Sequence, residues 1–234
     1  IGPSGYTYGT SAGSMLRATQ VRVTPSGTRC LIHEEGTPVG ELVLRMGGRH
    51  NLLNALAAAA AGRALQVTWE DVFRALGAFA GVGRRFQILG DVGGVVVIDD
   101  YAHHPTELVS ALRAARAMFP DRRLVAAFQP HLFSRTRDFA REFGEALAIA
   151  DSLWITDVFP ARETPIPGVS GRTIVEAAGK AGAAEVTYVR DLQELTAALA
   201  GAVRFGDVVM TLGAGSIESL GPMLVHALRE PAHA

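Results

Sequence analysis

From Phe86 to its end the sequence alternates short runs rich in valine and isoleucine with stretches of helical spacing, and this alternation limits the fold more than any other feature. A hairpin spans Phe86 to Ile98 and turns near Asp91 to Gly94; strands follow at Arg123–Phe128, Ser152–Thr156, Glu185–Val189 and Asp207–Thr211. Between them the spacing predicts helices at about Pro105–Met118, Arg135–Ala150, Thr173–Ala181 and Leu192–Ala200, with a last one ending near Arg229. Strands separated by helices of this length indicate an α/β fold, a Rossmann-like and mostly parallel sheet with helices on both faces. Ligands of such sheets collect outside the carboxyl ends of the strands, so chemistry is expected there.

The first third reads differently. Leu16–Val23, Arg29–His33 and Val39–Leu44 are β-prone runs separated by turn chemistry at Pro25-Ser26-Gly27 and Glu35-Gly36, which predicts an antiparallel meander. Gly47 to Asn54 opens a helix reaching about Gly62, and a second runs from Thr68 to Phe79 with Thr68 as N-cap and Asp71 in the capping-box position. Three strands make a poor independent core, so they are expected to complete a sheet whose other strands lie outside this chain. Gly81 and Gly83 punctuate the change of pattern and divide the chain into 1–82 and 83–234.

Composition excludes several classes. The 234 residues are 48% hydrophobic with a formal charge of −1, which gives neither a nucleic-acid footprint nor attraction to a membrane surface. The apolar run Ala55 to Ala61 is too short to span a bilayer. One cysteine, Cys30, and no signal peptide before the first strand fit a reducing cytoplasm. The single lysine, Lys180, precedes Ala181 rather than a hydroxyl residue, so the chain has no phosphate-binding P-loop. No Cys/His cluster has zinc spacing and no G-x-S-x-G elbow is present, leaving hydrolase readings little support. The first residues, Ile1-Gly2-Pro3, lack an initiator methionine and suggest a fragment or a processed chain.

The strand ends carry the reactive side chains. Val95–Ile98 runs into Asp99-Asp100-Tyr101-Ala102-His103-His104-Pro105, two carboxylates, a phenol and two imidazoles, far richer than a capping loop requires. Phe128-Gln129-Pro130-His131-Leu132-Phe133-Ser134-Arg135-Thr136 offers an imidazole and a guanidinium whose planar fork suits a carboxylate; a helix cap by Ser134 with Arg135 exposed is the plainer alternative. Asp157 to Pro165 is a proline-bounded loop that either closes over a ligand or merely connects. Leu212-Gly213-Ala214-Gly215-Ser216 lacks the third glycine and the acidic residue of a dinucleotide fingerprint, and is read as a close backbone approach. Nearer the start, Asn51 and Asn54 lie one helical turn apart and could read a purine edge with His50 beside them, or Asn51 could simply cap the helix. Adjacent Arg84 and Arg85 could hold phosphate oxygens or be a solvated pair.

Taken together these blocks resemble the Mur ligases, the ATP-dependent enzymes that add amino acids to the peptidoglycan precursor, and are most similar to their alanine-adding branch. The match runs through Gly48-Arg49-His50-Asn51 with Asn54, Gly83 to Phe86, Asp99 to Pro105, Phe128 to His131 with Ser134-Arg135-Thr136, Phe159 to Glu163 and Gly213-Ala214-Gly215, in the family's order. The resemblance implies an acid–amino acid ligase of the cytoplasm, with the tail of a central ATP-binding domain followed by a C-terminal amino-acid-binding domain. The UDP-binding part and the P-loop would lie upstream, and the chain by itself would be inactive. It implies an acyl phosphate made from ATP on UDP-N-acetylmuramate and attacked by the amine of L-alanine. His50 would be a catalytic ligand of Mg2+; Asn51 and Asn54 would contact adenine; Arg85 would approach the γ-phosphate; Asp100 would bind ribose. His104 and Arg135 would hold the alanine carboxylate, with His131 and Tyr101 nearby. Leu132 stands where many members have arginine, Ser216 where aspartate is frequent, and Gly47 where proline is common. A ligase of murein-peptide recycling and a non-catalytic nucleotide-binding module are the alternatives.

Overall fold

A computed structural model describes residues 5–24 and 27–229, and these divide into two compact units, up to Gly81 and from Val82. The turn expected at Pro25-Ser26 and the first three residues lie outside the described residues.

In the first unit β2 (Leu16–Thr24), β3 (Gly27–Glu34) and β4 (Thr37–Leu44) form the expected meander. A two-residue strand, β1 (Tyr8–Gly9), pairs parallel with β2 and makes the sheet four-stranded, order β1-β2-β3-β4. So short a run has no alternation to detect. Helices α1 (Arg49–Ala64) and α2 (Trp69–Ala78) bring Leu52, Leu56, Ala59 and Val72 to a core with Leu16, Cys30, Ile32, Leu42 and Leu44. Phe73 approaches Gly40 so closely that a Cβ there would lie 2.6 Å from its ring. Glu34 joins sheet to helices: its carboxylate accepts from the Tyr6 hydroxyl, from Trp69 Nε1 at 2.9 Å and from Arg63 Nε at 3.2 Å. Burial pushes the Glu34 carboxyl up, but these donors outweigh it and hold it below its ordinary value; the same contact pushes the Tyr6 phenol up to about 12. Cys30 lies in this core, and burial pushes its thiol up to about 11.

The second unit is a six-stranded sheet. Its strands are β5 (Gln87–Val92), β6 (Val95–Asp100), β7 (Leu124–Phe128), β8 (Ser152–Ile155), β9 (Val186–Tyr188) and β10 (Val208–Leu212), in the order β5-β6-β10-β7-β8-β9. Only β5 is antiparallel to its neighbour, and the hairpin joining it to β6 turns at Gly93-Gly94, both at positive φ as such tight turns require. β6, β7 and β10 are buried at every position, the mark of strands covered on both faces. One face bears Val95, Val97, Val125, Ala127 and Val209 against Leu195 and Leu199 of α7 (Leu192–Ala202) and Leu220, Leu224 and Val225 of α8 (Leu220–Arg229). On the other, Phe128 meets Phe143 of α5 (Ala140–Leu147), which packs with α3 (Pro105–Met118) and α6 (Gly171–Lys180). The helix expected over 135–150 is two helices, α4 (Phe133–Asp138) and α5, because Phe139 takes φ −114°, ψ 21° between them. Among the described residues no helix is long and apolar enough to cross a membrane.

Candidate functional site

The carboxyl ends of four strands lie level. Leu212 is in register with both Asp100 and Phe128, and Phe128 with Ile155, so the segments leaving β6, β10, β7 and β8 make one rim. β6 extends through Asp99 and Asp100, two residues past the apolar run, because both pair with β10.

Two adjacent aspartates thereby acquire different tasks. Asp99 accepts from Arg84 Nε at 2.7 Å and from the Thr211 hydroxyl at 2.6 Å. Arg84 also donates to the Gly213 carbonyl at 2.7 Å, so the first arginine of the pair is tied down, neither a phosphate clamp nor a solvated charge. Asp100, expected to face a cofactor, is turned inward instead: it is 4% exposed, and its two oxygens accept the amides of Phe86 and Ala102, each at 2.8 Å. Burial pushes its carboxyl above the ordinary value, while the two amides pull the other way. It thus fastens a turn in which Arg84 and Phe86 both hold positive φ, 58° and 50°. The exposed side chain on that turn is Arg85, its guanidinium carbon 5.5 Å from the centre of the Tyr101 ring.

Tyr101, His103, His131 and Phe159 form a chain of rings, with centroids 5.2, 5.8 and 5.7 Å apart in turn. His104 is the N-cap of α3; its Nδ1 accepts the Thr106 amide at 3.4 Å and its ring meets Phe139 at 5.1 Å. Glu107 completes the capping box by accepting the amides of His103 and His104.

Two buried polar atoms here have no hydrogen-bond partner, His131 Nδ1 and Arg135 Nη1. Leaving such atoms unsatisfied costs about 1–3 kcal/mol each, so each is a candidate to bond a water or a ligand. Burial, then the charges of Arg135 and His103, hold the His131 imidazole below its ordinary pKa, so it is neutral near pH 7. The loop after β8 is stitched to this place rather than left open to swing. Leu132 N donates to the Phe159 carbonyl at 3.0 Å, Phe159 N to that of Pro130 at 2.8 Å, and Glu163 accepts the Ser134 amide at 2.9 Å and its hydroxyl. Gly215 lets Phe159 and Gln129 close in: a Cβ would stand 2.5 Å from the ring and 2.6 Å from Gln129 Oε1, the close approach expected of this turn. Gln129 and Glu163 are the contributors that residue type alone does not single out; a glutamine and a glutamate beside glycine and proline turns were the available signal.

In the first unit Asn51 is buried and donates to the Gly47 carbonyl at 2.8 Å, while Asn54 is exposed, so the two amides are not presented alike. Asn51 is not the cap, which is Gly48 at φ 96°. His50 is half-buried in the first turn of α1. Among the described residues no group of three or more His, Cys, Asp or Glu side chains could hold a metal ion.

The sequence profile of the family described as "Mur ligase, glutamate ligase domain" matches residues 84–215, more than half of the chain. The chain belongs to the Mur ligases. Two UDP-N-acetylmuramate–L-alanine ligases are similar to it, 44% identical over 228 residues in Geobacter sulfurreducens and 46% over 228 residues in Cutibacterium acnes. Each alignment covers 97% of this Mur ligase chain but 49% and 48% of the relative, so the chain spans about half the length of the curated relatives it matches. The solved UDP-N-acetylmuramate–alanine ligase MurC of Thermotoga maritima superposes with a TM-score of 0.79 at 29% identity, over 94% of this chain and 47% of that one. The α/β architecture is that of Mur ligases.

Proposed function

We propose that the chain is the C-terminal part of an ATP-dependent ligase that joins L-alanine to UDP-N-acetylmuramate, a step of peptidoglycan precursor synthesis in the cytoplasm. The observation that carries this reading is the pair of partnerless buried atoms, Arg135 Nη1 and His131 Nδ1, at the strand ends of a domain whose relatives bear that name. In the reaction, phosphoryl transfer from ATP makes an acyl phosphate of the muramoyl carboxylate; the alanine amine attacks its carbonyl, and phosphate leaves from the tetrahedral intermediate.

Arg135 grips the alanine carboxylate with its planar fork, and His104 lies on the same rim. A neutral His131 beside this grip does not repel the alanine ammonium, and it limits water around the amine. Tyr101 flanks Arg85, whose exposed guanidinium meets transferred phosphate and offsets its charge. Asp100 serves by fastening the Arg85 turn rather than by touching ribose. Asn54 is the accessible amide for adenine, and Asn51 holds the helix entrance. The P-loop and the remaining magnesium ligands come from residues other than these, and in that reading domain 1–82 belongs to the ATP-binding part and 83–234 to the amino-acid part.

The test is phosphate release by the complete gene product with UDP-N-acetylmuramate, ATP and each of several amino acids. Release that depends on L-alanine, with an Arg135→Ala variant whose KM for alanine rises about a hundredfold at little cost in ATP KM, is the expected result. Release that depends on another amino acid or a peptide, or an unchanged alanine KM, overturns it.

A further inference from the structure

The two adjacent histidines of the rim hold their protons on opposite ring nitrogens, and the backbone decides which. His103 Nδ1 lies 3.0 Å from the Tyr101 carbonyl, which can only accept, so Nδ1 carries the hydrogen and the neutral ring keeps a lone pair on Nε2. His104 Nδ1 meets the Thr106 amide at 3.4 Å, which can only donate, so there Nδ1 keeps the lone pair and Nε2 carries the hydrogen. Glu107 fixes both residues: its Oε2 accepts the amides of His103 at 2.9 Å and of His104 at 3.1 Å, and lies 3.3 Å from His103 Nδ1. Neighbouring imidazoles thus offer opposite chemistry, an acceptor at His103 Nε2 and a donor at His104 Nε2.

We infer that His103 Nε2 is the base that frees the amine of the incoming amino acid, while His104 Nε2–H serves its carboxylate. The inference rests on the alanine-joining reaction proposed above. An amino acid brings an ammonium, which donates, and a carboxylate, which accepts, so the two rings match its two ends. An ammonium has no lone pair and cannot attack a carbonyl until a base takes a proton from it. His103 is placed for this within the chain of rings, its centroid 5.2 Å from that of Tyr101 and 5.8 Å from that of His131, and its side chain is 22% exposed. In the step, the alanine nitrogen gives one proton to His103 Nε2 and bonds through the freed lone pair to the carbonyl carbon of the acyl phosphate. As the tetrahedral intermediate collapses, the carbon–oxygen bond to phosphate breaks; phosphate leaves with that electron pair and takes the second proton from nitrogen. The imidazolium left behind keeps its Nδ1–H on the Tyr101 carbonyl, and the Glu107 carboxylate 3.3 Å away offsets its charge. The other groups facing it are His131, from the segment after β7, and, across the Tyr101 ring, the guanidiniums of Arg84 and Arg85, whose carbons lie 5.2 and 5.5 Å from that ring's centre.

The experiment has two arms. Long-range proton–nitrogen NMR of the 234-residue chain with labelled histidine reads the tautomers directly: His103 is expected to carry its hydrogen on Nδ1 and His104 on Nε2, and a hydrogen on His103 Nε2 overturns the inference. The second arm follows amide formation in a single turnover of the complete gene product with saturating L-alanine, comparing wild type with His103→Asn. Asparagine can still donate to the Tyr101 carbonyl but cannot take a proton, so the turn is kept and the base removed. Near pH 7 the variant is expected to be slower by about a hundredfold, the usual scale of a lost general base, with alanine affinity within about threefold of wild type. Because solution then has to supply the free amine, the variant's rate is expected to climb about tenfold per pH unit from 7 to 9, while that of wild type changes far less. A structural lesion would leave a deficit that pH does not repair. An unchanged rate in His103→Asn, or a deficit constant with pH, overturns the inference and leaves the alanine reading in place; wild-type turnover that requires some other amine, or none, overturns the reading itself.

Discussion

Asp99→Ala should be the most informative lesion in the second unit, because it removes one carboxylate from two fixed partners at once, Arg84 and Thr211. The Asp99 side chain is 4% exposed and that of Arg84 19%, with Nε and Oδ2 at 2.7 Å and the Thr211 hydroxyl on the other oxygen at 2.6 Å. Breaking a buried pair typically costs about 3–5 kcal/mol. Arg84 keeps the Gly213 carbonyl and a long contact of 3.4 Å to the exposed Glu218, which places the expected loss at the low end, about 3 kcal/mol. For a unit of this size that is roughly 6–12 °C in Tm. Asp99→Asn should cost only about 1 kcal/mol: its Oδ1 can still accept from Arg84, and its amide can donate to Thr211, whose hydroxyl turns toward the Ile98 carbonyl 3.5 Å away. Urea unfolding followed by Trp154 fluorescence in a Trp69→Phe background reads this unit alone. A loss below about 0.5 kcal/mol for Asp99→Ala, or an equal loss for both variants, would refute the claim that the hydrogen bonds accepted by residue 99 fix the Arg84 turn.

Gly215→Ala should destabilise by about 2 kcal/mol or more and displace Phe159 from His131, because the added methyl would meet the Phe159 ring and Gln129 at contact distances no relaxed side chain allows; unchanged urea unfolding with unchanged His131 NMR shifts would contradict this. In the first unit, the Glu34 carboxyl lies below its ordinary value of 4.5, so its contribution is present above that pH and fades as pH falls through the lower folded value. Glu34→Gln should therefore flatten the acid limb of first-unit stability, followed by Trp69 fluorescence in a Trp154→Phe background; an acid limb as steep as wild type would count against the assignment.

The strand and helix plan was legible because it rests on pattern: runs such as Val95–Ile98 and Arg123–Phe128 have the length and β-branched content of buried strands, and Thr68 marks a helix start by chemistry. What period could not carry was a two-residue strand at Tyr8 and the break at Phe139, where the ring lies against His104. At the rim, residue type found the place but not the division of labour. Arg84 and Arg85 are chemically identical neighbours, as are Asp99 and Asp100, and only the direction of each side chain tells the internal strut from the exposed group. Direction depends on two positive-φ residues and on partners more than a hundred positions away, Thr211 and Gly213, which no local pattern reveals. Asn51 shows the same limit, since an amide that could read a ligand is spent on the Gly47 carbonyl.

The thiol of Cys30 turns the first unit into its own clock. It is 2% exposed and the chain has no other cysteine, so an alkylating reagent can reach sulfur only through openings of that sheet. The rate of mass gain, divided by the rate for an unfolded peptide at the same pH, then equals the fraction of time the unit spends open. One endogenous atom therefore reports whether a substrate, a nucleotide or another protein tightens these strands, without any label being introduced.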